Sequence, residues 1–187
     1  MIYNFSHLKK HGFILNRLVY IQFPEADYLI DVEFTKKVAN KLTEKKLTIA
    51  VAESCTGGMI ANTLTNISGS SQYFERGIVS YSNKAKKELL DVTDELLEKY
   101  GAVSDQVAVA MAENIRKKSN VDIGIATTGV AGPTGGTKDK PVGVVFIAIS
   151  TKDVTNAIKY NFKGTRLENK ENTVLAVFDM ILKVLRD

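Results

Sequence analysis

The residues best suited to chemistry stand in one short run, Val51-Ala-Glu-Ser-Cys-Thr-Gly-Gly58, where an apolar segment gives way to a carboxylate, a hydroxyl, a thiol and two glycines. Ser54 and Cys55 are competing nucleophiles. Successive strand residues face opposite ways, so only one of them is expected to point at a site. Glu53 could act as a base or substrate ligand, or could hold the turn by accepting from backbone N–H groups. The glycines let a helix begin close behind, and a helix start offers free N–H groups and positive dipole to an anion. A strand-to-helix turn of this composition is also ordinary loop chemistry.

Both histidines, His7 and His11, lie near the N-terminus, away from this run. A histidine-based triad is therefore not expected, and no His/Cys cluster has zinc-ligand spacing. Neither a GxxxxGK[ST] loop nor a GxGxxG fingerprint follows the first strand, which weighs against P-loop and dinucleotide chemistry. What remains is a hydroxyl activated without imidazole, and Tyr81-Ser-Asn-Lys-Ala-Lys86 supplies the groups. Lysine serves as a base only when neutral, against an ordinary pKa of about 10.4. With Asn83 as a helix cap, Lys86 falls in the first turn, where the dipole disfavours an ammonium; position alone also fits a solvated surface lysine. Tyr81 could relay a proton between serine and lysine, hydrogen-bond a substrate, or be a half-buried strand aromatic. Gly129-Val-Ala-Gly-Pro-Thr-Gly-Gly136 is a loop whose backbone can approach a ligand, or a flexible turn.

Several elements must hold these groups. Phe34, Val38 and Leu42 recur at helical spacing, and residues 47 to 52 form a short apolar strand. A helix carrying Ile60, Leu64 and Ile67 starts at the glycines, and a second strand covers 77 to 81. Helices follow at about 84 to 90, at 94 to 99, and from a Ser104/Asp105 cap through Val107, Met111 and Ile115. Strands at 121 to 128, 142 to 149 and about 155 to 162 precede a final helix opened by a Thr165/Glu168 capping box. The last two strands are close enough for a hairpin. The pattern predicts an α/β domain with a mixed sheet covered by helices.

The chain has 187 residues, 44% of them hydrophobic, which suits one domain, residues 34–187, behind an atypical arm at residues 1–33. A net charge of +4, dispersed along the chain, does not indicate nucleic-acid binding. The single cysteine points to a reducing cytoplasm, and no apolar run reaches the roughly 18 residues of a membrane span.

Taken together, AESCTGG at 52–58, GSSQYFERGIVSYSNKAK at 69–86, GAVS at 101–104 and TGVAGPTGGTKDKPVG at 128–143 resemble the CinA C-terminal domain family. The resemblance covers about residues 34–187. It implies a three-layer α/β/α sandwich of the anticodon-binding-domain-like type, with a mixed, mostly parallel sheet of about five strands. It further implies an amidohydrolase that deamidates nicotinamide mononucleotide through serine, tyrosine and lysine, here Ser54, Tyr81 and Lys86, with no metal or other cofactor. Backbone near Thr56, Gly57 and Gly58 would then support the oxyanion. Glu53, Asn83, Thr128, Gly129, Gly132, Gly135, Gly136 and Arg166 are the remaining candidates for holding the substrate, with Arg76 a further choice for its phosphate. Family analogy adds a homo-oligomer, and the charge and apolar pattern lead us to expect no membrane or nucleic-acid partner. The alternatives are a non-catalytic nucleotide- or partner-binding module linked to competence or DNA damage, and an amidase for a different amide. The larger N-terminal domain often joined to this one is not matched by residues 1–33. Glu168 stands where the family is more basic after Gly164-Thr-Arg166.

Overall fold

A computed structural model describes residues 30–186. The expected N-terminal arm, with His7 and His11, lies for the most part outside the described residues.

The chain begins with α1 (Val32–Glu44), β1 (Ile49–Glu53) and α2 (Met59–Thr65), then a short 3-10 turn and β2 (Phe74–Val79). Three helices follow, α3 (Asn83–Leu90), α4 (Asp94–Tyr100) and α5 (Asp105–Ser119). Then come β3 (Ile123–Gly129), β4 (Val144–Ser150), β5 (Thr155–Asn161) and α6 (Arg166–Val184). Strand order is β2-β1-β3-β4-β5. β1 pairs in parallel with β2 and β3, while β4 is antiparallel to both β3 and β5. Four strands therefore point one way and β4 the other. The hairpin expected at the end of the chain is β4–β5.

The strands alternate large and small residues, and this alternation sorts the helices. Ile49, Val51, Ile123, Ile125, Val145 and Ile147 point into a core with Val38 and Leu42 of α1, Ile60 and Leu64 of α2, and Val174 and Phe178 of α6. Ala50, Ala52, Ala126 and Ala148 face the other way, against Leu90 of α3 and Val107, Met111 and Ile115 of α5. The result is the three-layer sandwich. Small residues on the second face let α5 sit against the sheet: a Cβ at Gly124 would lie 2.2 Å from the Ala112 carbonyl oxygen. Each fully buried Leu, Ile or Phe contributes about 1.5–3 kcal/mol, so both layers hold the sheet firmly.

This topology positions the site. From β1 the chain crosses to β2 on one side, and β3 enters on the other, so the loops after β1 and β3 diverge at their carboxyl ends. Open α/β sheets form a crevice at such a switch point. Ser54 follows β1 directly, Ser80 and Tyr81 follow β2, and the glycine loop follows β3. Among the described residues no helix is long and apolar enough to cross a membrane.

Candidate active site

Ser54 is fixed by its N–H, which donates to the Thr127 carbonyl (3.0 Å), and by its carbonyl, which accepts from Gly57 N–H (3.2 Å). Lys86 reaches it from α3. The cap of α3 is Ser82, whose hydroxyl accepts from Ala85 N–H (3.0 Å), so the expected capping role of Asn83 passes to its neighbour and Asn83 is the first helical residue. Lys86 is thus the fourth helical residue, still in the first turn. Its Nζ donates to Ser54 Oγ at 3.1 Å and to the Ser80 carbonyl at 2.9 Å. The side chain is 1% exposed. A solvated surface lysine is therefore not what the fold contains. Burial pushes the Lys86 amine below the ordinary lysine range, only partly opposed by the neighbouring Cys55; the helix dipole acts in the same direction as burial.

Cys55 also lines the cleft, yet burial pushes its thiol up to about 12. It is a protonated, poorly nucleophilic thiol at neutral pH. Tyr81 is not interposed between serine and lysine. Its side chain is exposed, and its hydroxyl accepts from an Arg166 guanidinium nitrogen at 2.8 Å. Because Lys86 meets Ser54 directly, the relay through Tyr81 is replaced by a Tyr81–Arg166 pair at the cleft mouth. Arg166 is the first residue of α6, and its other terminal nitrogen donates to the Gly132 carbonyl (2.8 Å). The capping box behind it forms as expected, with Thr165 N–H donating to Glu168 (2.6 Å) and Glu168 N–H to Thr165 Oγ1 (3.4 Å). Glu168 therefore anchors the helix start that presents Arg166.

Three expectations around the first turn, those for Glu53, Gly57 and Gly58, are corrected. Glu53 is 1% exposed, and its carboxylate accepts from the N–H groups of Gly58 (2.9 Å), Ile60 (3.2 Å) and Ala61 (2.9 Å). It caps α2 from inside rather than meeting a ligand. The Thr56 hydroxyl pairs with Thr127 Oγ1 in the interior (2.9 Å). Gly57 and Gly58 line a separate groove on the α1/α2/α6 side, and their N–H groups are committed to Ser54 and Glu53. Of the expected oxyanion donors, Thr56 N–H makes no hydrogen bond among the described residues. A buried carboxylate accepting from three N–H groups is worth several hydrogen bonds. Replacing Glu53 with alanine is expected to destabilise the fold by roughly 3–5 kcal/mol, measured as a lower urea midpoint, with Glu53→Gln intermediate.

The cleft itself, about 260 Å³, brings together Ser54, Cys55, Tyr81, Asn83, Lys86, Thr128 and Arg166 with Gly129, Gly132 and Gly135 of the loop. Gly136 lies outside it, packed on Val142. Arg76 is paired with Glu75 (3.6 Å) and is not part of the lining. Thr128 lines the cleft but gives its hydroxyl proton to the Ala102 carbonyl (2.6 Å). Ala102 and Val103, not singled out as site residues from sequence, complete the wall with Val130, Ala131 and Thr134 of the expected 129–136 loop. The GAVS motif at 101–104 was the available signal for the first two. Beside the buried Lys86 amine the lining holds one cationic side chain, Arg166, and no carboxylate, so it favours an anionic group on the ligand near Arg166. Among the described residues no three His, Cys, Asp or Glu side chains gather as a metal-holding group.

Comparison with known proteins agrees with this architecture. The CinA C-terminal domain profile matches residues 31–185. A putative competence-damage inducible protein of Thermoanaerobacter pseudethanolicus is 48% identical over 159 residues, covering 84% of this chain and 38% of that protein. A CinA-like protein of Syntrophus aciditrophicus is 52% identical over 149 residues, covering 79% and 36%. The chain thus spans under two fifths of the length of these relatives. Among solved structures, the competence/damage inducible protein CihA of Agrobacterium tumefaciens superposes with a TM-score of 0.81 at 36% identity, covering 83% of this chain and 95% of that one. A CinA superfamily protein of Klebsiella pneumoniae gives 0.80 at 30% identity, covering 82% and 96%.

Proposed function

This chain belongs to the CinA C-terminal domain family, and from that premise we propose that it is an amidohydrolase converting nicotinamide mononucleotide to nicotinic acid mononucleotide and ammonia. The observation that carries the reading is the buried Lys86 amine 3.1 Å from Ser54 Oγ in a cleft with no carboxylate in its lining. A nucleophile with a base in contact, and that base oriented by a third group, is the minimum for covalent acyl transfer. The third group is the Ser80 carbonyl: a neutral amine donates one proton to it, leaving its lone pair free for the serine.

In the reacting form the Ser54 hydroxyl donates along the same line to neutral Lys86. Ser54 Oγ bonds to the carboxamide carbon, and the serine proton passes to Lys86. Collapse of the tetrahedral species breaks the C–N bond, while Lys86 returns the proton to the departing nitrogen as ammonia. Water then attacks the nicotinoyl ester, Lys86 takes its proton, and Ser54 leaves with that proton restored. Thr56 N–H, just beyond the nucleophile, supports the oxyanion. The positively charged pyridinium ring adds to the pressure keeping Lys86 neutral. Arg166, held by Tyr81 and Gly132, meets the phosphate, and Asn83 and the backbone of Gly129, Gly132 and Gly135 border the ribose. The reading includes action in the cytoplasm, as a homo-oligomer, without a metal or redox cofactor.

The test is direct assay of purified protein with nicotinamide mononucleotide, following ammonia and the acid product together. No turnover would sink the reading. Within it, Arg166→Ala is expected to lower kcat/KM about 10–100-fold, mainly through KM, since a charge-assisted phosphate contact is worth about 1.5–3 kcal/mol. Turnover of nicotinamide riboside, which lacks the phosphate, should be far less affected by the same substitution.

A further inference from the structure

One wall of the cleft is built from two segments far apart in sequence, the 129–143 loop and the 101–104 turn between α4 and α5. Ala102 and Val103 line the cleft from the turn, and Gly129 to Gly135 from the loop. Two straps join them. One is the Thr128 hydroxyl on the Ala102 carbonyl at 2.6 Å. The other is Lys140, whose Nζ donates to the Tyr100 carbonyl at 2.8 Å across 40 residues of sequence.

Lys140 is placed to act where α4 ends. Tyr100 is the last residue of α4, so its carbonyl has no continuing helix to accept from, and the negative end of the dipole favours a cation there. Gly101 bends the chain with φ +74°, and a Cβ on it would lie 3.0 Å from Lys140 Nζ, so the residue after the helix leaves room for the ammonium. At its other end, a turn with Thr137 N–H donating to the Lys140 carbonyl (2.9 Å) and Lys140 N–H donating to Thr137 Oγ1 (3.1 Å) fixes the lysine in the loop. The far side of the loop is tied to α6 by Arg166 on Gly132 and by the Asn169 amide on the Ala131 carbonyl (3.0 Å). The loop is therefore held at two places, by Lys140 on the end of α4 and by Arg166 and Asn169 of α6.

We propose that Lys140 is a positioning residue that sets the width of the substrate cleft by strapping the 129–143 loop to the end of α4. The inference rests on the amidohydrolase reading for its kinetic expression, though not for its geometry. Ser54 and Lys86 are carried by β1 and α3, outside both strapped segments, so the strap governs how the nucleotide is held and leaves the reacting pair in place.

The experiment compares the unmodified protein with Lys140→Met, which keeps the stem without the donor, and Lys140→Arg, which keeps a cation of similar reach. Steady-state kinetics with nicotinamide mononucleotide are measured beside backbone hydrogen exchange. Lys140→Met is expected to raise KM about tenfold with kcat within about twofold, on the scale of one charge-assisted hydrogen bond. It should also speed exchange in both 101–104 and 129–143 while leaving β1 and β3 protected. Lys140→Arg should recover most of both effects. Unchanged KM, or a fall in kcat alone, overturns the proposal, as does exchange that quickens uniformly across the chain. If the unmodified protein does not turn over the nucleotide, the amidohydrolase reading fails by itself. Exchange then decides the strap: coupled loosening of the two segments upholds it, and unchanged exchange in the 101–104 turn overturns it.

Discussion

Replacing Ser54 with alanine should reduce ammonia release from nicotinamide mononucleotide by at least about 10³-fold, while Cys55→Ala leaves activity within about threefold. The two residues are adjacent and both reach the cleft, so the contrast isolates chemistry from location. Ser54 has the buried amine on its Oγ; Cys55 has a thiol that burial holds at about 12. The fraction of thiolate at neutral pH is then about 10⁻⁵, too small to compensate for the greater intrinsic reactivity of sulfur. Both substitutions remove one atom from otherwise small side chains, so circular dichroism and the urea midpoint should stay near those of the parent. A mass spectrum of quenched enzyme should show the acyl adduct, the nicotinoyl group still carrying its ribose phosphate, on the peptide containing Ser54, and no adduct in Ser54→Ala. Loss of activity in Cys55→Ala with retention in Ser54→Ala would overturn the mechanism. Inactivity of the parent, with nucleotide still bound, would favour the non-catalytic module instead.

The fold was largely legible because its signals are local. Short apolar, partly β-branched runs mark the central strands, and the capping chemistry at Ser104 and Thr165 marks two helix starts. Even the Ser82/Asn83 error moved a cap by a single residue, as expected where adjacent residues both have capping side chains. The site was legible in its membership but less so in its roles, since those depend on partners distant in sequence. Position alone leaves Lys86 open between a base and a surface lysine, and only α3 folded against the sheet brings its amine to Ser54, 32 residues away. Tyr81 stays open in sequence between a proton relay, a substrate contact and a strand aromatic, and its contact with Arg166, 85 residues on, is not visible there. Glu53 was ambiguous because a carboxylate beside a nucleophile suits a base as well as a cap. Three N–H donors on its two oxygens settle its placement under α2.

The pH dependence of the protein should carry the signature of Lys86 twice, once in rate and once in stability. In rate, only the neutral amine can accept the Ser54 proton, so kcat/KM should rise with pH along a limb set by Lys86 in the free enzyme. Because burial lowers this amine, the midpoint should fall below the ordinary lysine value of about 10.4. The limb should be absent from the residual activity of Lys86→Met; a limb retained there would assign it to another group. In stability, the unfolded chain keeps the ordinary lysine pKa while the folded chain has the lowered one. Between the two values the unfolded state binds the extra proton, so stability rises with pH across that window. The contribution is complete above the unfolded value and is lost as pH falls through the folded value. Other groups titrate in the same alkaline range, including Tyr73 and Tyr160, whose hydroxyls burial pushes up. The informative quantity is therefore the difference in unfolding free energy between the parent and Lys86→Met, from urea titrations at several values between about pH 7 and pH 10. That difference should move in favour of the parent as pH rises. A difference independent of pH would mean the amine titrates alike folded and unfolded, and would leave Ser54 without its base. A fold that buries a lysine beside a serine sacrifices stability at neutral pH, and in the amidohydrolase reading a neutral amine is what that sacrifice maintains.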